Sequence, residues 1–221
     1  MKARTTAQWI EILRACGVKS ATAAKWAPVF AAQVVPGAFS AGDAELDDFL
    51  GQILHESQKL ERVEENLNYS VDGLLKTFGR HRISEADARR YGRIDGKQPA
   101  NRQAIANTIY GGTWGRQNLG NVEPGDGWAC RGSGLIQVTG LANLTALAKI
   151  VGWKGNPRDL GLALRADPAK ALQVSILWWE GNVPDSIMGN VVKVTKKVNG
   201  GTNGLDDRGR LAALAAKAIA A

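Results

Sequence analysis

A carboxylate on the apolar side of a helix restricts a chain more than most single features do. Residues 49–57, Phe-Leu-Gly-Gln-Ile-Leu-His-Glu-Ser, contain one. Phe49, Leu50, Ile53 and Leu54 recur at spacings of one, three and four, which makes a helical apolar stripe. Ser40 followed by Asp43 offers a capping box ahead of it, and the helix is expected to end near Lys59. Glu56 falls three residues after Ile53 and seven after Phe49, so the 3.6-residue period turns its side chain towards the apolar face. A carboxylate so placed is costly unless an Arg or Lys pairs with it, or unless it is held protonated as a general acid must be. The helix by itself leaves both readings open.

The rest of the chain bounds the setting. Its 221 residues, 44% of them hydrophobic, suffice for one sizeable core or two lobes. No apolar run is long enough to span a bilayer. The start, Met-Lys-Ala-Arg-Thr-Thr-Ala-Gln-Trp, is basic but lacks the apolar core of a signal peptide, so synthesis in a cytoplasm without export by the usual signal is expected. Cys16 and Cys130 are too few for a disulfide framework and are expected to stay reduced and separate. The net charge of +7 favours an anionic partner: nucleic acid, a lipid surface or a charged cell-wall polymer. No block of consecutive basic residues chooses among them.

Helical patterns dominate in order. Residues 5–17 bring Trp9, Ile10 and Leu13 to one side and stop at Gly17. Ser20 can cap a second helix carrying Trp26, Phe30 and Val34, interrupted near Pro28. After the central helix, residues 61–69 read as a loop. Ser70 can cap a helix that buries Leu74, Leu75 and Phe78, and Ser84 with Asp87 can cap residues 85–91 before Gly92. Residues 99–110 read as helix. Residues 111–129, rich in Gly and Asn, read as a long functional loop. Further helices are expected from Leu141 to Val151, where Asn143, four residues after Thr139, can share a side of the first turn with it, over 169–180 as an apolar central helix, over 185–198, and at the Ala/Leu-rich end, which is expected to pack on the core rather than on a membrane. The fold class is mainly α: one domain over 1–221, with 1–40 packed on it, about 71–112 as a smaller lobe, and a cleft between two lobes.

Several motifs fail as metal or nucleotide sites. His55-Glu56 matches the first half of His-Glu-x-x-His, but position 59 is Lys, and His81 is the only other histidine. Gly132-x-Gly134 lacks the third glycine and the preceding strand of a nucleotide loop. Cys130 is more readily a small buried residue than a thiol nucleophile. Glu61, Glu64 and Glu65 form an acidic turn, any member of which could face Glu56 as a second carboxylate.

Taken together, five blocks in order carry a resemblance: residues 49–57; Glu65-Asn66-Leu67-Asn68-Tyr69-Ser70; Gly127-Trp128; Arg131-Gly132-Ser133-Gly134-Leu135-Ile136-Gln137-Val138-Thr139-Gly140; and Asn199-Gly200-Gly201-Thr202-Asn203-Gly204-Leu205. Over roughly residues 45–215 the chain resembles the family 19 glycoside hydrolases, on the branch of bacteriophage endolysins rather than plant chitinases. The resemblance implies a lysozyme-like helical fold with two lobes around a substrate cleft, no cofactor and no metal. It implies hydrolysis of β-1,4 bonds next to N-acetylated sugars, with Glu56 as general acid, Glu65 as base and Thr139 helping to hold the attacking water. It places His55, Asn68, Tyr69, Gln137, Asn143 and Asn199 on the substrate. Where related sequences often read Gly-Arg-Gly before Ile-Gln, this chain reads Arg131-Gly132-Ser133-Gly134, one residue longer. Inversion requires two carboxyls roughly 6.5–9.5 Å apart to admit a water, which a helix-borne acid and a loop-borne base nine residues on can bracket.

The expected partner is peptidoglycan glycan strands, not nucleic acid, with no stable membrane insertion. The expected setting is a bacterial host cytoplasm, with action on the wall in the periplasm after release through a pore made by a separate protein. A monomer is expected. The alternatives are a chitinase acting on N-acetylglucosamine polymers, a Cys130-dependent wall peptidase or amidase, and a non-catalytic wall-binding module. The presence of both Glu56 and Glu65 argues against the last.

Overall fold

The computed structural model describes residues 1–221. Thirteen helices account for most of them: α1 Thr6–Ala15, α2 Ser20–Gln33, α3 Asp43–Glu56, α4 Val71–Thr77, α5 Glu85–Tyr91, α6 Arg102–Ile109, α7 Gly112–Leu119, α8 Asp126–Ala129, α9 Leu141–Ile150, α10 Pro157–Ala166, α11 Pro168–Asn182, α12 Val191–Asn199 and α13 Leu205–Ala220. Extended pairing is confined to isolated bridges. The mainly helical class expected from the sequence, consistent with a lysozyme-like family 19 fold, is the one found. No helix is long and apolar enough to cross a membrane. The chain divides into two compact units: residues 1–63, 134–136 and 164–221 form the first, and residues 64–133 and 137–163 the second.

The first unit is built around α3. Phe49, Leu50, Ile53 and Leu54 are all buried, together with Trp9, Trp26 and Phe30 from α1 and α2, Trp179 from α11 and Leu211 from α13. Phe49 meets Trp179 edge-on with ring centroids 5.4 Å apart, an arrangement the ring quadrupoles favour. Helix α13 runs close against α3, because a β-carbon at Gly51 would lie only 2.9 Å from Ala212 Cβ and from the Arg208 carbonyl oxygen. Residues 1–40 belong to this unit and contribute to its core.

Five local expectations for this unit are corrected. Ser40 does not cap α3: Gly42 holds that position, and the Ser40 hydroxyl donates to Asp185 Oδ1 at 2.9 Å. A tertiary partner has outcompeted the local cap. Helix α3 ends at Glu56 rather than near Lys59, since Gln58, Lys59 and Leu60 take left-handed φ of 51°, 59° and 65°, which no α-helix continues. Pro28 lies inside α2 without ending it; burial of Ala23, Trp26, Ala27 and Phe30 on that helix outweighs the local cost. Ser20 is the first residue of α2 rather than its cap, which is Lys19. The segment 185–198 is also divided, with a short 3₁₀ turn Asp185–Ile187 ahead of α12.

The second unit packs Leu67, Leu74, Phe78, Ile83, Ile105 and Ile109 into a smaller core. Ser70 and Ser84 cap α4 and α5 as expected, accepting from Gly73 N at 3.0 Å and Asp87 N at 3.0 Å. Residues 111–129 form not a long loop but α7 and α8. Their glycines serve contact: a β-carbon at Gly115 would lie 2.0 Å from the Tyr110 carbonyl oxygen, and one at Gly127 would lie 2.3 Å from that of Ala106. Their polar residues hold backbone. Asn121 donates to Tyr110 O at 2.8 Å and accepts from Leu141 N at 2.9 Å. Asp126 accepts from Val122 N and Glu123 N, both at 2.9 Å, and pairs with Arg158 Nε at 2.7 Å. Helix α10 had no counterpart in the sequence reading.

Candidate functional site

The residues singled out in the sequence fall into two groups, one in each unit. In the first unit, the end of α3 presents His55 and Glu56, both half-buried. Glu56 does not stand alone among apolar groups. Arg208, fully buried near the start of α13, donates from Nη2 to Glu56 Oε1 at 2.5 Å. The same guanidinium donates from Nη1 to Gln52 Oε1 at 2.6 Å and from Nε to Asn203 O at 3.0 Å. Gln52 in turn donates to Thr195 Oγ1 at 3.2 Å. Glu56, Gln52 and Asn203 each turn an oxygen to one guanidinium, which is how Arg imposes geometry. Glu56 Oε2 carries no hydrogen bond from the chain, and the side chain is a quarter exposed.

His55 Nδ1 lies 2.8 Å from Asp207 Oδ2, and Asp207 Oδ1 accepts from Arg210 at 2.6 Å. The His55 hydrogen bond holds the Asp207 carboxyl below its ordinary value, with Arg210 assisting. Asn199, at the end of α12, donates to Asn203 O at 3.3 Å and accepts from Gly201 N at 3.0 Å. Asn199 therefore shares the Asn203 carbonyl with Arg208, which ties the turn 199–204 to the Glu56 network.

In the second unit, Glu65 sits on an extended segment. Glu64 bridges to Ser133, and Ser133 bridges onward to Val138. Glu65 N donates to Gly132 O at 3.0 Å. Its carboxylate accepts from the Tyr110 hydroxyl at 2.6 Å on Oε1 and from Gly132 N at 3.2 Å on Oε2. A carboxylate offers about four lone-pair sites, so room for a water remains. Burial, and then the Glu65 charge beside it, push the Tyr110 phenol well above its ordinary value; the shared proton stays on Tyr110. Next to Glu65, Arg131 pairs with Glu64 Oε1 at 2.6 Å and stacks 3.5 Å above the Trp128 ring.

Gln137 reaches the same place beside the Ser133–Val138 bridge, and Thr139 is tied to it. A β-carbon at Gly132 would lie 3.1 Å from Gln137 Oε1 and 3.4 Å from Glu65 Oε2, so the two side chains adjoin over this residue and a larger one there would crowd them. Gln137 takes a left-handed φ of 51°, a strained backbone of the kind kept at ligand sites. The Thr139 hydroxyl donates to Gln137 O at 3.2 Å, which leaves its oxygen free to accept from a water. Asn143 donates to Thr139 O at 2.8 Å, as their spacing suggested. Ser133, within the longer stretch, is buried and donates to Arg131 O at 2.6 Å. Asn68 and Tyr69 lie one turn of chain beyond Glu65. Asn68 O accepts from Arg93 at 3.1 Å, and the Tyr69 ring meets Phe78 edge-on at 5.4 Å.

A curated protein of Haemophilus influenzae, named as a glycosyl hydrolase family 19 domain-containing protein, is 37% identical to this chain over 163 residues, 74% of each. No protein-family model matches the chain. The chain belongs to glycosyl hydrolase family 19. The sequence reading of this family 19 member missed three groups that shape its sites: Arg208, Tyr110 and Asp207. Arg208 lies 152 positions from Glu56, and nothing local in an Ala/Leu-rich helix marks it as a partner. Tyr110 looks like one more residue closing an amphipathic helix. Cys16 and Cys130 are both buried and unbridged, one in each unit. Burial pushes the Cys16 thiol up to about 11. No group of three or more His, Cys, Asp or Glu side chains forms a metal site.

Proposed function

We propose that this family 19 glycoside hydrolase is an endolysin that cleaves β-1,4 bonds of bacterial peptidoglycan with inversion. Glu56 serves as general acid, Glu65 as general base, and Thr139 accepts a hydrogen bond from the attacking water. His55, Asn68, Tyr69, Gln137, Asn143 and Asn199 contact the sugars. The observation that carries this reading is the difference between the two carboxylates. Glu56 is clamped through one oxygen by the Arg208 guanidinium, and its other oxygen, which carries no hydrogen bond from the chain, is the one left to hand a proton to a leaving oxygen. Glu65 is held by a neutral hydroxyl and a backbone N–H, which suits an anion that orients and deprotonates water. A net charge of +7 favours a polymer bearing carboxylates over uncharged chitin.

The reading is tested by incubating the protein with purified peptidoglycan and with chitin, then labelling the new ends. New reducing sugars from peptidoglycan support it. Reducing sugars from chitin alone make the protein a chitinase. New amines make it a peptidase or amidase, for which Cys130, fully buried, is poorly placed as a nucleophile. No new ends would leave only a wall-binding role.

A further inference from the structure

Glu65 is the one candidate site carboxylate whose hydrogen-bond donors are all electrically neutral, the Arg82 charge acting on it only at a distance, and one of those donors is a side chain that the reaction scheme above does not use. We propose that Tyr110 is the positioning residue for Glu65: its phenol holds Oε1 and so fixes the direction in which Oε2 meets a water. The inference rests on the reading of Glu65 as the base.

The argument runs through three contacts. The 2.6 Å bond from Tyr110 to Oε1 is short for a neutral donor, as hydroxyl-to-carboxylate bonds are. The bond from Gly132 N to Oε2 is longer, at 3.2 Å, so Oε2 is the less committed oxygen. Without the phenol, the carboxylate is free to rotate about its last bond, whose torsional profile is broad.

The phenol is itself braced. Tyr110 caps α6, and the carbonyl of the preceding residue, Ile109, accepts from Arg82 Nε at 2.9 Å. The Arg82 guanidinium lies 3.7 Å from the Trp114 ring centroid, 4.7 Å from that of Phe78 and 5.5 Å from that of Tyr110. It forms no ion pair within the chain, so its place is set by stacking and by this one backbone bond. The titratable groups acting on the phenol are Glu65, Tyr69 and Arg82. None of them removes the Tyr110 proton near neutral pH, because burial and Glu65 both push its phenol up.

The test uses the full chain acting on solubilised peptidoglycan, with kcat, KM and the pH profile of kcat/KM read for Tyr110→Phe, Arg82→Lys and Glu65→Gln. Tyr110→Phe keeps the ring and loses the donor. Its kcat should fall by about ten- to a hundredfold, the worth of one hydrogen bond to a charged group, with KM changed little. The acidic limb of its profile should move to higher pH, because a donor that favours the carboxylate is gone. Arg82→Lys should show the same two changes in smaller size, which keeps the proposal testable should Tyr110→Phe fold poorly. A lower melting temperature in both variants with the limb unmoved and kcat unchanged would reduce the pair to a structural role and overturn the proposal. Glu65→Gln separates the two levels. If it is inactive while Tyr110→Phe matches the parent, the positioning role alone fails; if it stays active, the base assignment fails and the proposal with it.

Discussion

The two candidate carboxylates are held by opposite means. Glu56 ends a helix buried in the core of the first unit, and it is gripped by a charge, the fully buried Arg208. Glu65 lies on an extended segment of the second unit and is gripped by neutral donors, a phenol and a backbone N–H. A buried guanidinium needs its anionic and carbonyl partners, so the Glu56 network is bound up with the stability of its unit. Neutral donors around Glu65 lose little if the carboxylate becomes an amide. The difference teaches that stability and chemistry are coupled at the first site and separable at the second.

Substituting both acids in turn gives the largest effects and tests that contrast. Glu56→Gln and Glu65→Gln should each lower turnover by about 10²–10⁴-fold, the range for losing a general acid or base. Their melting behaviour should diverge. Glu56→Gln leaves Arg208 without its anion and should cost about 1–3 kcal/mol, a figure below that for a fully buried pair because Glu56 itself is a quarter exposed. Glu65→Gln should melt close to the parent. Equal melting temperatures would break the comparison. Arg208→Met sharpens it further. That variant strips Glu56, Gln52 and Asn203 of one shared donor and should destabilise by about 3–5 kcal/mol in calorimetry, with hydrolysis lost as well.

Smaller effects are expected nearer the water. Thr139→Val keeps volume and loses one acceptor, which should slow turnover by about ten- to a hundredfold, less than either Gln substitution, because Glu65 still holds the water. A rate equal to that of Glu65→Gln would give Thr139 a larger role than positioning. The smallest effect belongs to Cys130→Ser. It places a hydroxyl at a fully buried site and should cost about 1–2 kcal/mol of stability while leaving the rate of glycan cleavage within about twofold. Complete loss of activity in a folded Cys130→Ser protein would bring the thiol chemistry back into contention.

What the sequence made legible follows from how local each cause is. The stripe of Phe49, Leu50, Ile53 and Leu54, the Ser70 and Ser84 caps and the Asn143–Thr139 bond all involve neighbours within a turn or two, and all were readable. Ser40 misled because Asp185, far along the chain, took its hydroxyl. Residues 111–129 misled because their glycines and amides signal a loop, whereas here they let α7 and α8 press against the backbone of α6 and cap its end. For the carboxylate on the apolar face the sequence left an Arg or Lys partner and a protonated acid both open, and the structure supplies an Arg. Which one supplies the charge depended on α13 folding back along α3, a contact made through the missing side chain of Gly51. Tyr110 and its hold on Glu65 likewise depend on tertiary packing across 45 positions.

The central claim is that Glu56 and Glu65 act as an acid and a base on a glycosidic bond, without a covalent intermediate. Proton NMR of a short β-1,4 oligosaccharide digest, recorded before mutarotation, reads this directly. The account predicts the α-anomer as the first product, because water delivered by Glu65 attacks the face opposite the leaving oxygen. A β-anomer appearing first would mean retention through a glycosyl-enzyme intermediate, and would contradict the roles given to Glu65 and Thr139 together.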